Sequence, residues 1–207
     1  MNFPLKIDLW SIAGKVGVIF VGFIVLAVSL TQTTLRIMAV DEIRNNPMEL
    51  TINYKDGTTE QASYKFPEVN MLPDNPFYGL KRVRDWMWLL MTSKQNKPKV
   101  ALLLADKKIA EMTELFKKDK SELAIETGNE ALDKLEYAHG LESDVSQIPD
   151  EVKRFRKQLF LAGNAYSQIL NDKKENFELN QVKFDELNKK INDWNKKQEE
   201  ESWQWKD

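Results

Sequence analysis

The sequence predicts an all-α protein: an N-terminal single transmembrane helix, a short β-hairpin connector, then an antiparallel bundle of four to five helices closing on a long C-terminal helical hairpin. Three observations carry this. Val16 to Leu35 is a run of twenty residues without a charge. After Pro73 the apolar residues recur at intervals of three and four, the period of a helix with one buried face. Eight Gly and seven Pro are too few for the many turns of a sandwich or barrel. The chain is thereby divided into a tail and anchor over 1–40, a connector over 41–72, a helical domain over 73–140, and C-terminal helices with a frayed tail over 141–207.

Twenty helical residues at 1.5 Å each reach roughly 30 Å, the hydrocarbon thickness of a bilayer. Val16, Phe20, Phe23, Leu26 and Leu30 mark the span, Lys15 and Arg36 bound it at headgroup reach, and Trp10 stands at the interfacial distance. A permanent anchor is the favoured reading. The alternative is a signal peptide: Lys6 and Lys15 as basic region, Val16 to Leu26 as apolar region, and Ala27-Val28-Ser29 as a small-x-small cleavage pattern, with the chain secreted after cleavage near Ser29. Against it, the basic region is long and apolar character resumes at Leu35, Ile37, Met38 and Val40. Lys6, Lys15 and the amino terminus set against Arg36 and Arg44 give a slight bias to a cytoplasmic N-terminus, which leaves the bulk of the chain extracytoplasmic at the cell membrane.

In the connector, Leu50, Ile52 and Tyr54 alternate with polar residues, Lys55-Asp56-Gly57-Thr58 follows, and Ala62, Tyr64 and Phe66 alternate again. Asp-Gly between alternating runs predicts a hairpin, because Gly takes positive φ at no steric cost. Two strands alone are marginal in water, so the hairpin needs a surface to lie on. Asp74 or Asn75 then offers a cap and Pro76 a first helical residue, ahead of a stripe of Leu80, Val83, Met87 and Leu90. Asn96 and Pro98 repeat that signature before Ala101, Ala105, Ile109, Met112 and Phe116, with Lys107, Lys108, Lys117 and Lys118 outside the stripe. Ser121 opens a helix through Leu123, Thr127, Ala131, Leu135 and Ala138, and Gly140 is placed to end it as the residue just past its last turn. Val152, Phe155, Leu159, Ala162, Tyr166 and Ile169 form a heptad-like seam, a coiled-coil pattern. Phe177, Phe184, Leu187, Ile191 and Trp194 resume it with the phase advanced by four, read as two helices or a bend rather than one rod.

Leu72-Pro73-Asp74-Asn75-Pro76-Phe77-Tyr78-Gly79-Leu80-Lys81-Arg82, followed by Leu103-Leu104-Ala105-Asp106-Lys107-Lys108-Ile109-Ala110-Glu111, resembles an uncharacterised bacterial family, domain of unknown function 5667. Its members open with a Leu-Pro-x-x-Pro-hydrophobic-Tyr-x-Leu-Lys stretch and continue with a Leu-Ala-x-x-Arg/Lys-hydrophobic-Ala-Glu helix. Gly79 stands where the family often has Pro. The resemblance covers roughly Leu72 to Ala138; the connector and the region after Pro149 match loosely or not at all. It implies an exported helical hairpin or bundle behind an N-terminal signal or anchor, and no activity.

Chemistry has little material here. With no Cys, thiolate chemistry and Cys-ligated zinc are excluded, and one His, His139, cannot build a cluster. His139 falls at a helix end, where a cation gains from the dipole. Glu122, Glu126 and Glu130 lie one turn apart and read as a solvated face. A net charge of −2 disfavours nucleic acid as a partner. No catalytic residue, cofactor, metal or small-molecule substrate is expected.

Lys81, Arg82 and Arg84 precede Trp86-Met87-Trp88. The two tryptophans stand about 200° apart on a helix, so they cannot share one core. The favoured reading puts one of the pair in the core and the other on its rim, which leaves Trp86, Trp88, Trp203 and Trp205 as candidates for exposed aromatics; the alternative, from the basic cluster, is a helix lying on an anionic membrane face or an acidic envelope polymer. Phe177, Phe184, Leu187, Ile191 and Trp194 are the candidate seam for packing, a protein partner or a second copy. The sequence thus points to a non-enzymatic, membrane-anchored scaffold or interaction module in contact with lipid. An envelope sensor signalling through the span is the alternative, and an envelope hydrolase the remote one.

Overall fold

The computed structural model describes residues 44–53, 58–145, 149–173 and 180–202, together with Gly22 and Val25. The chain divides into two compact units, Met1–Asp41 and Glu42–Asp207. In the first, Gly22 and Val25 are helical. The span residues Val16, Phe20, Phe23, Leu26 and Leu30, and the cleavage pattern at Ala27 to Ser29, lie outside the described residues. No helix among the described residues is long and apolar enough to cross a membrane.

The second unit is mostly helical. It opens with two antiparallel strands, β1 (Arg44–Asn53) and β2 (Thr59–Pro67), paired Met48 to Tyr64, Leu50 to Ala62 and Ile52 to Glu60. That register puts Leu50, Ile52, Tyr64 and Phe66 on one buried face, as their alternation predicts. The Asp56-Gly57 turn itself lies outside the described residues.

Five helices follow. α1 (Tyr78–Met91) begins two residues later than expected: Asn75 Oδ1 accepts from the Phe77 amide at 2.9 Å, and Pro76 sits in that turn rather than in the helix. α2 (Lys97–Lys117) carries Pro98 in its first turn, where a missing N–H costs nothing. Its burial exceeds the predicted stripe, since Val100 to Ala105 are all buried, the sign of a helix covered on several sides. It ends in a left-handed cap at Asp119, φ 56°, with the Lys120 amide on the Leu115 carbonyl and the Asp119 amide on that of Phe116. α3 (Ser121–Gly140) includes Gly140 as its last residue, not as a cap beyond it; Leu141 follows at φ −105° and leads into a 3-10 turn, Glu142–Asp144. α4 (Pro149–Lys173) and α5 (Gln181–Ser202) are separate helices, the first of the two readings of their phase offset.

Side-chain pairs fix the directions. Ser167 meets Asn192, Asn171 meets Asn188, and Asn195 donates to the Gly163 carbonyl at 3.1 Å, so α4 and α5 run antiparallel. Lys108 meets Glu130, and Gly128 lies beside Met112, so α2 and α3 do too. Gly163 and Gly128 are where α5 comes closest. A methyl at Gly163 would collide with Trp194 and Asn195, and one at Gly128 would stand 2.7 Å from Leu187 and Met112. The seam residues Phe184, Leu187, Ile191 and Trp194 are buried here, inside the chain's own core, together with Phe155, Leu159 and Tyr166 of α4. Of the two roles expected for that seam, packing or partner contact, Phe184, Leu187, Ile191 and Trp194 take the first, covered by α3 and α4. Phe177 lies outside the described residues.

The hairpin finds its surface on α2 and α4. Asp106 of α2, wholly buried, accepts from Tyr64 of β2 at 2.8 Å and from Tyr166 of α4 at 2.7 Å. Burying a carboxylate is costly unless donors replace its water, and two tyrosines do so. Lys157 near Glu60, and Gln168 on the Glu49 carbonyl, add exposed links between α4 and the strands.

Gly163→Ala should lower stability by about 1–3 kcal/mol, the usual cost of overpacking, in urea denaturation followed by circular dichroism. An unchanged midpoint would mean that α4 and α5 are not in close contact there. Tyr166→Phe should cost about 1–3 kcal/mol, because the Asp106 carboxylate loses one donor in a dry setting. The same melt measures it, and a loss below about 0.5 kcal/mol contradicts the shared acceptor.

Candidate functional site

α1 rests on α2 through its two ends. At the first, Tyr78 is buried and donates to Glu111 Oε2 at 2.5 Å, while Lys81 pairs with the other Glu111 oxygen. Lys108 donates to the Tyr78 hydroxyl at 2.6 Å and pairs with Glu130 of α3 at 2.5 Å. Arg82 reaches the same Glu130 at 3.8 Å. Burial, then the hydrogen bond and charge of Glu111, hold the Tyr78 hydroxyl far above its usual range, so it remains a donor. At the second end Trp88 is buried, 3% exposed, with the Lys107 ammonium 4.9 Å from its ring centre. Trp88 opposite Lys107, and Tyr78 opposite Glu111, make α1 antiparallel to α2.

Between α1, α2 and α3 opens a cleft of about 610 Å³, with Trp86, Leu89, Lys107, Lys134 and Tyr137 on its walls. Three of the four carboxylates on its walls are engaged, Asp85 by Arg84 at 2.7 Å, Glu111 by Tyr78 and Lys81, and Glu130 by Lys108, while the fourth, Asp133, is exposed to solvent. Lys107 and Lys134 have no described carboxylate within pairing distance. Desolvation pushes the Lys107 ammonium down to about 8. Desolvation first, then the Lys108 charge, lowers Lys134 as well. The arrangement is one of fixed charges, two of them without an ion-pair partner, and it suits seating an acidic group. Among the described residues no group of three or more His, Asp or Glu side chains is arranged to hold a metal ion.

The second feature is the outer face of α1. Phe77 just ahead of it, then Leu80, Val83, Trp86, Leu90 and Met91, are each half or more exposed. The predicted stripe of Leu80, Val83 and Leu90 therefore faces away from the core, not into it. Polar bonds from Lys81 and Tyr78, with Trp88 and Asp85, occupy the inner face instead. Trp86 is exposed as predicted, at 63%; Trp88 is corrected to a core residue, since the inner face has room for one of the pair. Trp203 and Trp205 lie outside the described residues.

His139 is in the last turn of α3, edge-on to Trp194 and 3.4 Å from Glu142. Glu122 is exposed and paired with Lys183 at 2.7 Å, which holds its carboxyl below the usual range. Glu130 departs from the solvated-face reading, because Lys108 draws it into the cluster. Sequence reasoning missed Tyr78, Lys107, Lys108, Glu111 and Lys134. A signal existed: Glu111 falls in the phase of Val100 and Leu104 on α2, as Asp106 falls in that of Leu102 and Ile109, and a charge in a buried phase demands a partner.

Residues 70–204 match the family described as domain of unknown function (DUF5667). The match extends past the expected Leu72 to Ala138 and takes in the whole of α4 and α5, as befits helices that supply a large part of the core. No match was found among curated proteins or solved structures.

Lys107 should titrate near pH 8, well below the usual lysine range. Its folded value lies under its unfolded one, so the unfolded chain binds more protons between about 8 and 10.5, and stability gains with rising pH across that window. Carbon-13 NMR of dimethylated lysines, assigned with Lys107→Gln, should show one resonance moving in that range; a spectrum in which every lysine holds its proton to pH 10 refutes the dry setting.

Proposed function

We propose that this chain, which belongs to the family of domain of unknown function 5667, is a non-enzymatic, membrane-anchored module whose helical unit stands outside the cytoplasm and docks through the outer face of α1. The observation that carries this is the face itself. Five large apolar side chains of one helix, and Phe77 before it, are turned to solvent. A helix in water normally turns that stripe inward, so a continuous outward stripe marks a docking surface. The uncharged run from Val16 to Leu35 supports the anchor, because its length matches a bilayer and its flanks are basic. The engaged carboxylates support a binding role over a catalytic one, since general acid–base work needs a carboxyl free to trade its proton.

The full chain should stay with membranes through a carbonate wash and be freed by deleting residues 16–35. Protease added to intact cells should cut the unit after Glu42, and the mature N-terminus should precede Ala27. Recovery of the intact full chain in the aqueous fraction would overturn the anchor.

A further inference from the structure

The docking face has a chemical character of its own. Between Tyr78 and Val100 the chain carries six basic residues and a single acid, Asp85, in a protein whose net charge is −2. Asp85 is taken by Arg84. The guanidinium of Arg82, 3.8 Å from Glu130, and the ammonium of Lys94, paired with Asp144 at 3.0 Å, remain 66% and 81% exposed beside the stripe and beyond its end. The cleft with Lys107 and Lys134 abuts the stripe, and Trp86 belongs to both. A stripe of apolar side chains edged by cations, with two more cations in an adjoining recess, is complementary to an amphiphile with an acidic head.

The area argues for lipid over a second copy. Fourteen residues at 1.5 Å each, on half the circumference of a cylinder 10–12 Å across, offer roughly 350 Å². A stable dimer needs about 800 Å² from each partner. Two such faces would also bring their basic rims together, which repels. A bilayer surface has no such area limit, and it takes Trp and Leu at its interface while its phosphates take Arg and Lys.

We propose that the cleft and the outer face of α1 form one site for an anionic phospholipid of the bilayer surface, its phosphate against Lys107 and Lys134 and its acyl chains along Val83, Trp86 and Leu90. The inference rests on the membrane-anchored reading above, and gives its docking face an occupant. Arg82 and Lys94 meet neighbouring headgroups. The helical unit would then lie on the membrane by α1, rather than stand off it on the connector.

The absence of Cys makes the test clean. Single-cysteine forms of the full chain, Val83→Cys, Leu90→Cys and, as control, the exposed Val182→Cys of α5, carry a polarity-sensitive fluorophore. They are placed in vesicles of phosphatidylcholine alone or with phosphatidylglycerol. Labels at 83 and 90 should shift to the blue only with phosphatidylglycerol, while 182 stays unchanged. Lys107→Gln and Lys134→Gln should each weaken that response about fivefold, with unchanged circular dichroism. Full response with both lysines replaced would remove the phosphate seat. An equal shift in phosphatidylcholine alone would leave no acidic-head preference. A shift without lipid, together with a dimeric mass, would give the face to a second copy, and one produced by soluble polyphosphate would give it to an acidic polymer; inorganic phosphate alone should give none. Each of these overturns the proposal. Chain that floats with the vesicles while its labels stay silent sinks the lipid site and leaves the anchor standing; chain that does not float sinks the anchor.

Discussion

The second unit depends on one buried carboxylate. Asp106 sits in the middle of α2 with no exposure and accepts from tyrosines that arrive from β2 and from α4. Through it those three elements are joined by buried hydrogen bonds. The surrounding contacts of Leu50, Phe66, Ile109 and Leu159 are apolar and carry no direction of their own. The carboxylate does, because its cost in a dry core is met only when both hydroxyls point at it. It therefore fixes the register of the hairpin against the helices, a task that hydrophobic burial alone leaves loose.

α1 is built on the opposite principle. α2 and α3 share an extended apolar interface, and α5 is locked by Trp194 and Leu187 over two glycines. α1 spends its inner face on ion pairs, Trp88 and Leu89, and turns most of its large apolar residues to the outside. A helix held chiefly by polar bonds at Glu111 and Glu130 gains its place from geometry rather than from buried area. What it presents is then free of the core's demands, and its outer residues answer to whatever covers them.

Much of this was legible in the sequence, and the failures have physical causes. The alternation around Asp56-Gly57 predicted the hairpin, and the phase offset between Ile169 and Phe184 predicted two helices, because both are consequences of local period. Ser121 and Asn96 marked starts correctly. The stripe on α1 was read in the right phase and assigned the wrong side, since periodicity tells which residues share a face and not what the face meets. Trp88 was separable from Trp86 by angle, but only the packing on Lys107 shows which of them turns inward. The seam from Phe184 to Trp194 was open to packing or to a partner on its period alone; small residues at Gly128 and Gly163 let α5 come close enough for α3 and α4 to cover it. The polar cluster was invisible because its members are spread over three helices, at distances along the chain that no motif spacing records.

The residues that carry the family resemblance gain a physical meaning from this. Tyr78 and Lys81 come from its first stretch, and Lys108 and Glu111 from its second. In the fold these two stretches meet at Glu111, which takes the tyrosine hydroxyl on one oxygen and the lysine on the other. The turn through Asn75 and Pro76 exists to deliver Tyr78 to that point, and Asp74 secures it from the far side through Lys120 at 2.8 Å. The pattern thus specifies an attitude: the angle at which one short helix leaves the bundle.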